Sequence, residues 1–430
     1  MLQAYRAEAM TDVAVFSLFV RRLPARRNYL LACGLGPVLD YLEGLRFTPD
    51  DLDYLSTLER MTPDFLRWLT DLRFTGDVYA VPEGTVVFAN EPILEVVAPL
   101  PEAQLIETFV MNQVNLATVL ASKAARVVTA ATGRSVIDFG ARRMHGIDAA
   151  LKAARVFHIA GLDATSNLLA GRRYGIPVAG TMAHSFIQAF DSEAAAFRAF
   201  ARYFPETILL VDTYDTLDGV RQVIALSHAL RDDFRVRGVR LDSGDLGALA
   251  KASRALLDDA GLEAVKIFAS GGLDEDGIAD LVAQGAPIDG FGVGTALGVS
   301  ADAPGLDIAY KLCAYKGQGR IKLSAGKPIL PGRKQVFRRV EQGRALDDVI
   351  ARADEDLPGR PLLQQVMAGG RRLAEPEPLD AMRARAGVEI AALPPTVRAL
   401  ASADLSYPVA ISAALQADHA AIARRLRDAS

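Results

Sequence analysis

The period of apolar and polar positions changes three times along the chain, and each change predicts a different architecture. Residues 1–103 mix helical and extended patterns. The apolar run 13–20, followed by Arg21-Arg22, reads as a core strand. It is too short to cross a bilayer, and its basic pair has the wrong polarity for a signal peptide. Residues 76–99 alternate (Val-Tyr-Ala-Val-Pro-Glu-Gly-Thr-Val-Val-Phe), with Pro and Gly at turns, which predicts antiparallel strands. From about Glu102 the period becomes helical, and 105–132 reads as a long Ala-rich amphipathic helix ending at Gly133.

A strand–helix rhythm follows. Strand-like runs occupy 135–139, 177–179, 207–211, 238–241, 265–269 and 288–293. Helical stretches fit between them at 183–203, 217–231, 246–260 and 275–284. Such alternation predicts right-handed parallel βαβ units. Their number favours a closed or nearly closed α/β barrel, with an open doubly wound sheet as the rival. After Ala303 the rhythm stops. Residues 308–340 are strand-like and basic, with Lys311, Lys322, Lys327, Arg333 and Lys334 around Pro331-Gly332. The tail from about 358 is rich in Ala, Arg and Pro, with a last helix at 411–427, and carries no assigned chemistry.

At 430 residues the chain predicts two or three domains. Half the residues are apolar and 23% are charged, which excludes wholesale disorder. A net charge of −4 offers no bulk basic surface for nucleic acid, so an anionic ligand needs a local constellation. Cys33 and Cys313 lie far apart, without zinc-type or disulfide spacing, and fit a reducing cytoplasm.

The chemistry is concentrated where each strand-like run ends. The endings are Asp138-Phe139-Gly140-Ala141-Arg142-Arg143, Gly180-Thr181, Asp212-Thr213-Tyr214-Asp215, Arg240-Leu241-Asp242-Ser243-Gly244-Asp245, Ser270-Gly271-Gly272 and Gly292-Val293-Gly294-Thr295. A single Asp or Gly after a strand is usually a cap or a turn. Six polar endings on one barrel face predict a site, because α/β barrels bind at the carboxyl ends of their strands. The two Gly-rich endings suit phosphate oxygens, which backbone N–H groups can approach closely there. Arg240 and Asp242, two apart on a strand, face the same side: one suits an anion, the other a sugar diol. A structural Arg–Asp pair is the alternative. Arg142 and Arg143 offer guanidinium groups, and Phe139 a face for a flat ring. His184 follows Gly180-Thr181 at the start of a helix, where an imidazole can serve as nucleophile or acid/base.

With these endings the chain resembles the nicotinate phosphoribosyltransferases, within the type II phosphoribosyltransferases. The matching segments are 138–146, 164–167 (Ala-Thr-Ser-Asn), 180–187, 212–215, 240–246, 270–275 and 291–297, with the basic run 322–327 through 331–334. The resemblance spans roughly residues 3–345. It implies an irregular α/β barrel over 104–305, an N-terminal α+β domain over 1–103, and a C-terminal region, 306–430, whose strands complete that sandwich-like domain before a helical tail. It also implies condensation of nicotinate with phosphoribosyl pyrophosphate to nicotinate mononucleotide and pyrophosphate, coupled to ATP hydrolysis and needing Mg²⁺. No side chain is assigned to Mg²⁺. The implied enzyme is a cytoplasmic homodimer with shared sites, acting on small molecules and not on nucleic acid or membrane.

The resemblance further implies a role for each ending. His184 is transiently phosphorylated and Asp212 orients its ring. Phe139 stacks on the pyridine; Thr181 and Arg240 approach the nicotinate end. Arg142 holds phosphate, Asp242 binds ribose hydroxyls, and Ser270, Gly271, Gly272, Gly292, Gly294 and Thr295 cradle phosphates. Asn167 stands where nicotinamide enzymes have an aspartate, and its amide can donate to a carboxylate; capping the next helix is its other reading. Family members usually begin with Asp-x-Tyr-x-x-Thr-Met, whose tyrosine reaches the ring across a dimer interface. This chain begins Met1-Leu2-Gln3-Ala4-Tyr5, level with the end of that segment. The expectation is weakened nicotinate affinity for the chain as written, by on the order of 1 kcal/mol. The rival functions are a degenerate phosphoribosyl-binding protein without turnover, a quinolinate or nicotinamide enzyme, and, more distantly, a barrel aldolase or isomerase.

Overall fold

In the computed structural model, which describes residues 1–324, 329–403 and 405–428, the chain divides into two units. One comprises Met1–Ser122 with Gly305–Ser430, the other Lys123–Pro304. Lys327 of the expected basic run lies outside the described residues.

In the first unit the run Val13–Val20 is a buried strand, paired antiparallel with Pro92–Pro99 on one side and Ile308–Tyr315 on the other. The sheet extends through Asp77–Ala80 to Gln364–Ala368, so segments from both ends of the sequence share it. A second sheet pairs Lys334–Glu341 with Arg344–Arg352. Its buried Arg338 binds both oxygens of Asp348 and reaches Glu389 through Nη1 at 2.7 Å, beside the stacked Phe88 and Tyr407 rings. Burial pushes the neighbouring Glu91 carboxyl well above its usual range, and Asp348 adds to the effect. Cys33 and Cys313 are both buried and not bonded to each other. Among the described residues no helix is long and apolar enough to cross a membrane.

The second unit is built on six parallel strands: β1 (Ser135–Asp138), β2 (Ala164–Thr165), β3 (Ile208–Leu210), β4 (Gly238–Leu241), β5 (Lys266–Ala269) and β6 (Gly290–Val293). Their order is β2-β1-β6-β5-β4-β3. Helices Thr216–Leu230, Leu246–Asp259 and Glu275–Ala283 return the chain between β3, β4, β5 and β6. The result is a parallel half-barrel. Among the described residues β2 and β3 do not pair, so of the expected closed or nearly closed barrel the sheet shows a parallel half. The run 177–179 is the reason. It contributes one bridge, Val178 to Thr165, through Thr165 N to Pro177 O and Ala179 N to Thr165 O, before Gly180 leads the chain away.

Two boundaries differ from the sequence pattern. The expected helix 183–203 is two helices, His184–Gln188 and Glu193–Tyr203, because Ser192 caps a new start by accepting from Ala195 N. The strand β2 was hidden in Ala164–Thr165, too short to show a period.

Candidate active site

Phe139 is placed by the residues on either side of it. The preceding Asp138 is 1% exposed; its Oδ1 accepts from Gly140 N and its Oδ2 from Thr165 Oγ1, both at 2.7 Å. Burial raises this carboxyl, while the two donors act to lower it. Those bonds fix the turn, and Phe139 N donates to Val293 O at 2.8 Å. The ring then lies across Gly292, where a Cβ would come within 2.5 Å of ring carbons Cδ2 and Cε2. Arg142 and Arg143 follow on an exposed 3-10 turn.

Arg240 reaches up from β4 with its guanidinium carbon 5.7 Å from the centre of the Phe139 ring. Its Nη2 donates to Met182 O at 3.1 Å, and its Nε is buried without a partner. Burial lowers its pKa; Asp242 and Asp212 oppose that shift and Arg142 adds to it. Arg240 makes no ion pair with Asp242 among the described residues, so the structural-pair reading is set aside. A buried N–H with no acceptor is costly, and an anionic ligand would satisfy it.

His184 opens the helix His184–Gln188, with its side chain 40% exposed. Nδ1 meets Thr213 Oγ1 at 3.1 Å, and Nε2 faces Asp242 Oδ2 at 3.6 Å. The tautomer that suits both neighbours carries its proton on Nε2 and accepts the Thr213 hydroxyl at Nδ1. Asp212, the expected orienter, does not touch the imidazole. Its Oδ2 is occupied by Asp242 N at 2.9 Å and Ser243 Oγ at 2.6 Å. It supports Asp242 from behind, and Asp242 and Thr213 orient the ring.

Asp242 also links the histidine to the first glycine-rich ending. Its Oδ1 accepts from Ser270 Oγ, whose own N–H bonds Leu241 O. Gly271 has φ +91°, and a Cβ there would sit 1.8 Å from Asp242 O, so only glycine lets these two turns touch. Beyond Gly272, Glu275 begins the next helix and is held by buried Lys123 and Arg126. Gly294 and exposed Thr295 end β6 at the same rim, and Gly294 N-caps the short helix Thr295–Gly298.

Asn167 caps the helix Leu168–Tyr174, its Oδ1 accepting from Ala170 N at 3.1 Å. The cap occupies the amide oxygen and leaves the N–H₂ as the group open to a ligand. Thr181 is half-buried, its hydroxyl on Met182 O. The expected site residues thus lie at the carboxyl ends of the strands or in the loops just past them, with Thr181 and His184 beyond the Val178 bridge. Thr213, Ser243 and Thr165 are supporting residues that the sequence reading did not single out. Thr213 and Ser243 stand inside the strand endings, and Thr165 inside the matching segment 164–167. Among the described residues no three His, Cys, Asp or Glu side chains converge as a cage for a metal ion.

Comparison with known proteins agrees over nearly the whole chain. Residues 1–115 match the nicotinate phosphoribosyltransferase (NAPRTase) N-terminal domain and residues 134–349 the nicotinate phosphoribosyltransferase (NAPRTase) family. The Mycobacterium tuberculosis protein named nicotinate phosphoribosyltransferase pncB2 is 60% identical over 413 residues, covering 96% of this chain and 89% of its own. The nicotinate phosphoribosyltransferase of Bacillus subtilis is 44% identical, covering 80% and 72%. The crystal structure of human nicotinic acid phosphoribosyltransferase superimposes with a TM-score of 0.87 at 30% identity, covering 98% of each chain. By these matches the chain belongs to the nicotinate phosphoribosyltransferase family.

Proposed function

We propose that this protein joins nicotinate to phosphoribosyl pyrophosphate, giving nicotinate mononucleotide and pyrophosphate, and couples that step to ATP hydrolysis through a phosphohistidine at His184. One observation carries the reading: the Asp242 carboxylate faces the His184 imidazole and binds Ser270, so the reacting ring and a glycine-lined loop share one carboxylate. In the phosphorylation step the unprotonated ring nitrogen attacks the γ-phosphorus and ADP leaves with the bonding electrons. Asp242 then balances the positive charge on the ring. In the transfer step pyrophosphate departs from an oxocarbenium-like ribose and the pyridine nitrogen attacks. The chain's contribution is positioning and charge.

Nicotinate is favoured over its amide by two groups. Arg240 holds a buried N–H without an acceptor, and Asn167 keeps only its donor end open. Phe139 supplies the ring face, and Arg142 with the loops 270–272 and 292–295 the phosphate contacts. Among the described residues no side-chain set fits a resident Mg²⁺ cage. In this reading Mg²⁺ enters as the counter-ion of the pyrophosphate substrate, held mainly by phosphate oxygens and water. The same reading carries a homodimer in the cytoplasm; two buried cysteines not bonded to each other suit that compartment.

Incubation with γ-³²P-ATP, followed by peptide mapping, tests it. Acid-labile label on the peptide containing His184, absent from H184A, is the expected result. Absence of label with product still formed removes the phosphohistidine. Absence of product from nicotinate, nicotinamide and quinolinate alike favours a binding protein without turnover.

A further inference from the structure

A lysine with no role in the reaction as written ties the two glycine-rich strand endings together. Lys123 lies on the helix Glu107–Ala131 with its side chain 2% exposed. Its Nζ bonds Glu275 Oε2 and, at 2.8 Å, Asp302 Oδ1. Arg126 stands three residues on, hence on the same helix face, and takes the other Glu275 oxygen through Nε at 2.9 Å. Each carboxylate belongs to a different ending. Glu275 is the first residue of the helix that follows Ser270-Gly271-Gly272, a turn closed by Asp274, whose Oδ1 accepts from Asp276 N and Gly277 N. Asp302 follows Gly294 through the short helix Thr295–Gly298 and a tight turn. In that turn Ala301 N donates to Ala296 O at 3.1 Å and Ser300 Oγ to Ala303 O at 2.8 Å.

The sheet itself does not supply this tie. β5 and β6 pair at Phe268–Gly290 and Ala269–Phe291, and that ladder stops where the endings begin. Nor does the cluster add a net field for an anion, because Lys123 and Arg126 are matched by Glu275 and Asp302. Stability is a weak reason for it as well: the desolvation of buried ions largely offsets their attraction, and apolar side chains of similar volume often serve a core as well. What ions and hydrogen bonds add is a fixed geometry. We propose that Lys123 is a positioning residue: by holding Glu275 and Asp302 at once it sets the spacing of the loops 270–272 and 292–295, so that both meet one phosphorylated ligand. The proposal rests on the reading of these loops as phosphate contacts for phosphoribosyl pyrophosphate.

The test compares wild type, D302A, D302N and K123M in two ways. One is steady-state kinetics; the other is calorimetric titration of phosphoribosyl pyrophosphate with Mg²⁺ present and nicotinate absent. D302A frees one loop while Lys123 keeps Glu275, and the Asp302 side chain is 15% exposed, so the fold is expected to stand. Misplacing that loop forfeits about one charge-assisted hydrogen bond to phosphate, which should raise KM and Kd for phosphoribosyl pyrophosphate about tenfold. The nicotinate KM should change little. In D302N the amide oxygen still accepts from Lys123 Nζ, so most of the affinity returns. K123M frees both loops and should weaken binding further. It also leaves buried Glu275 short of a partner, so if it fails to fold, D302A against D302N decides. A merely structural tie would lower the thermal midpoint and the active fraction, and hence kcat, with KM and Kd for phosphoribosyl pyrophosphate unchanged. That result, or D302N behaving as D302A does, overturns the proposal. Wild type that binds phosphoribosyl pyrophosphate, loses affinity in D302A and yet forms no product would count against the transferase reading alone. Wild type that does not bind it overturns both.

Discussion

Replacing Gly292 by alanine asks whether Phe139 works as a ring platform. The new Cβ would lie 2.5 Å from Phe139 Cδ2 and Cε2 and 3.2 Å from Ser270 Cβ. Carbon atoms at optimal separation are about 3.5–4.0 Å apart, so the ring must retreat by about 1 Å or the strand must shift. The strand has little freedom, because Phe139 N is bonded to Val293 O and Asp138 is fixed by Gly140 and Thr165. The ring therefore moves. Overpacking of this kind costs about 1–3 kcal/mol of stability. Loss of one aromatic stack costs about 0.5–1.5 kcal/mol of binding, or about 2- to 12-fold. G292A should accordingly raise the KM for nicotinate by that factor, with a smaller change in the KM for phosphoribosyl pyrophosphate, and should lower the unfolding midpoint. Steady-state kinetics and urea unfolding read the two effects. F139L frees the space, so in the G292A/F139L double variant most of the stability loss returns while the nicotinate KM stays high. A G292A enzyme with unaltered nicotinate KM would refute the platform. Additive stability losses in the double variant would refute the steric reasoning.

The remaining predictions address specificity and the first unit's core. Aspartate caps a helix as well as asparagine, so N167D should leave the thermal midpoint nearly unchanged. It should nevertheless cut kcat/KM for nicotinate by about tenfold or more (about 1.4 kcal/mol) relative to nicotinamide; equal loss for both substrates would confine Asn167 to its cap. Arg338 is 2% exposed and bound to Asp348 and Glu389, which are themselves buried. R338A strands those carboxylates and should cost about 3–5 kcal/mol in equilibrium urea unfolding, whereas a loss below about 1 kcal/mol would mean the carboxylates find other partners or protons.

What the sequence revealed and what it hid differ in range. The strands β1, β3, β4, β5 and β6 were legible because each is a short apolar run stopped by a polar ending, and that ending is the chemistry. The break between His184–Gln188 and Glu193–Tyr203 was missed because continuous helical periodicity masks a serine cap inside it. Closure of the barrel was not legible for a related reason. The run 177–179 has a strand's composition, but only register decides whether it pairs on both sides, and it bridges Thr165 alone.

The larger miss lies at His184. Residue types gave an imidazole and a set of acidic strand ends, and chemical analogy assigned Asp212 to the ring. The geometry instead makes a chain, with Asp212 behind Asp242 and Asp242 facing the imidazole. The difference comes from neighbouring parallel strands: Asp212 lies just past β3 and Asp242 just past β4, which pair in register with Leu210 beside Arg240. One backbone N–H, that of Asp242, is then within reach of the Asp212 carboxylate, and taking it turns Asp212 away from the ring. A buried N–H left unpaired would cost more than a long contact to a half-exposed imidazole gains. The hydrogen-bond demand of the strand end therefore decides which carboxylate is left to face the histidine, and that demand exists only once the sheet has formed.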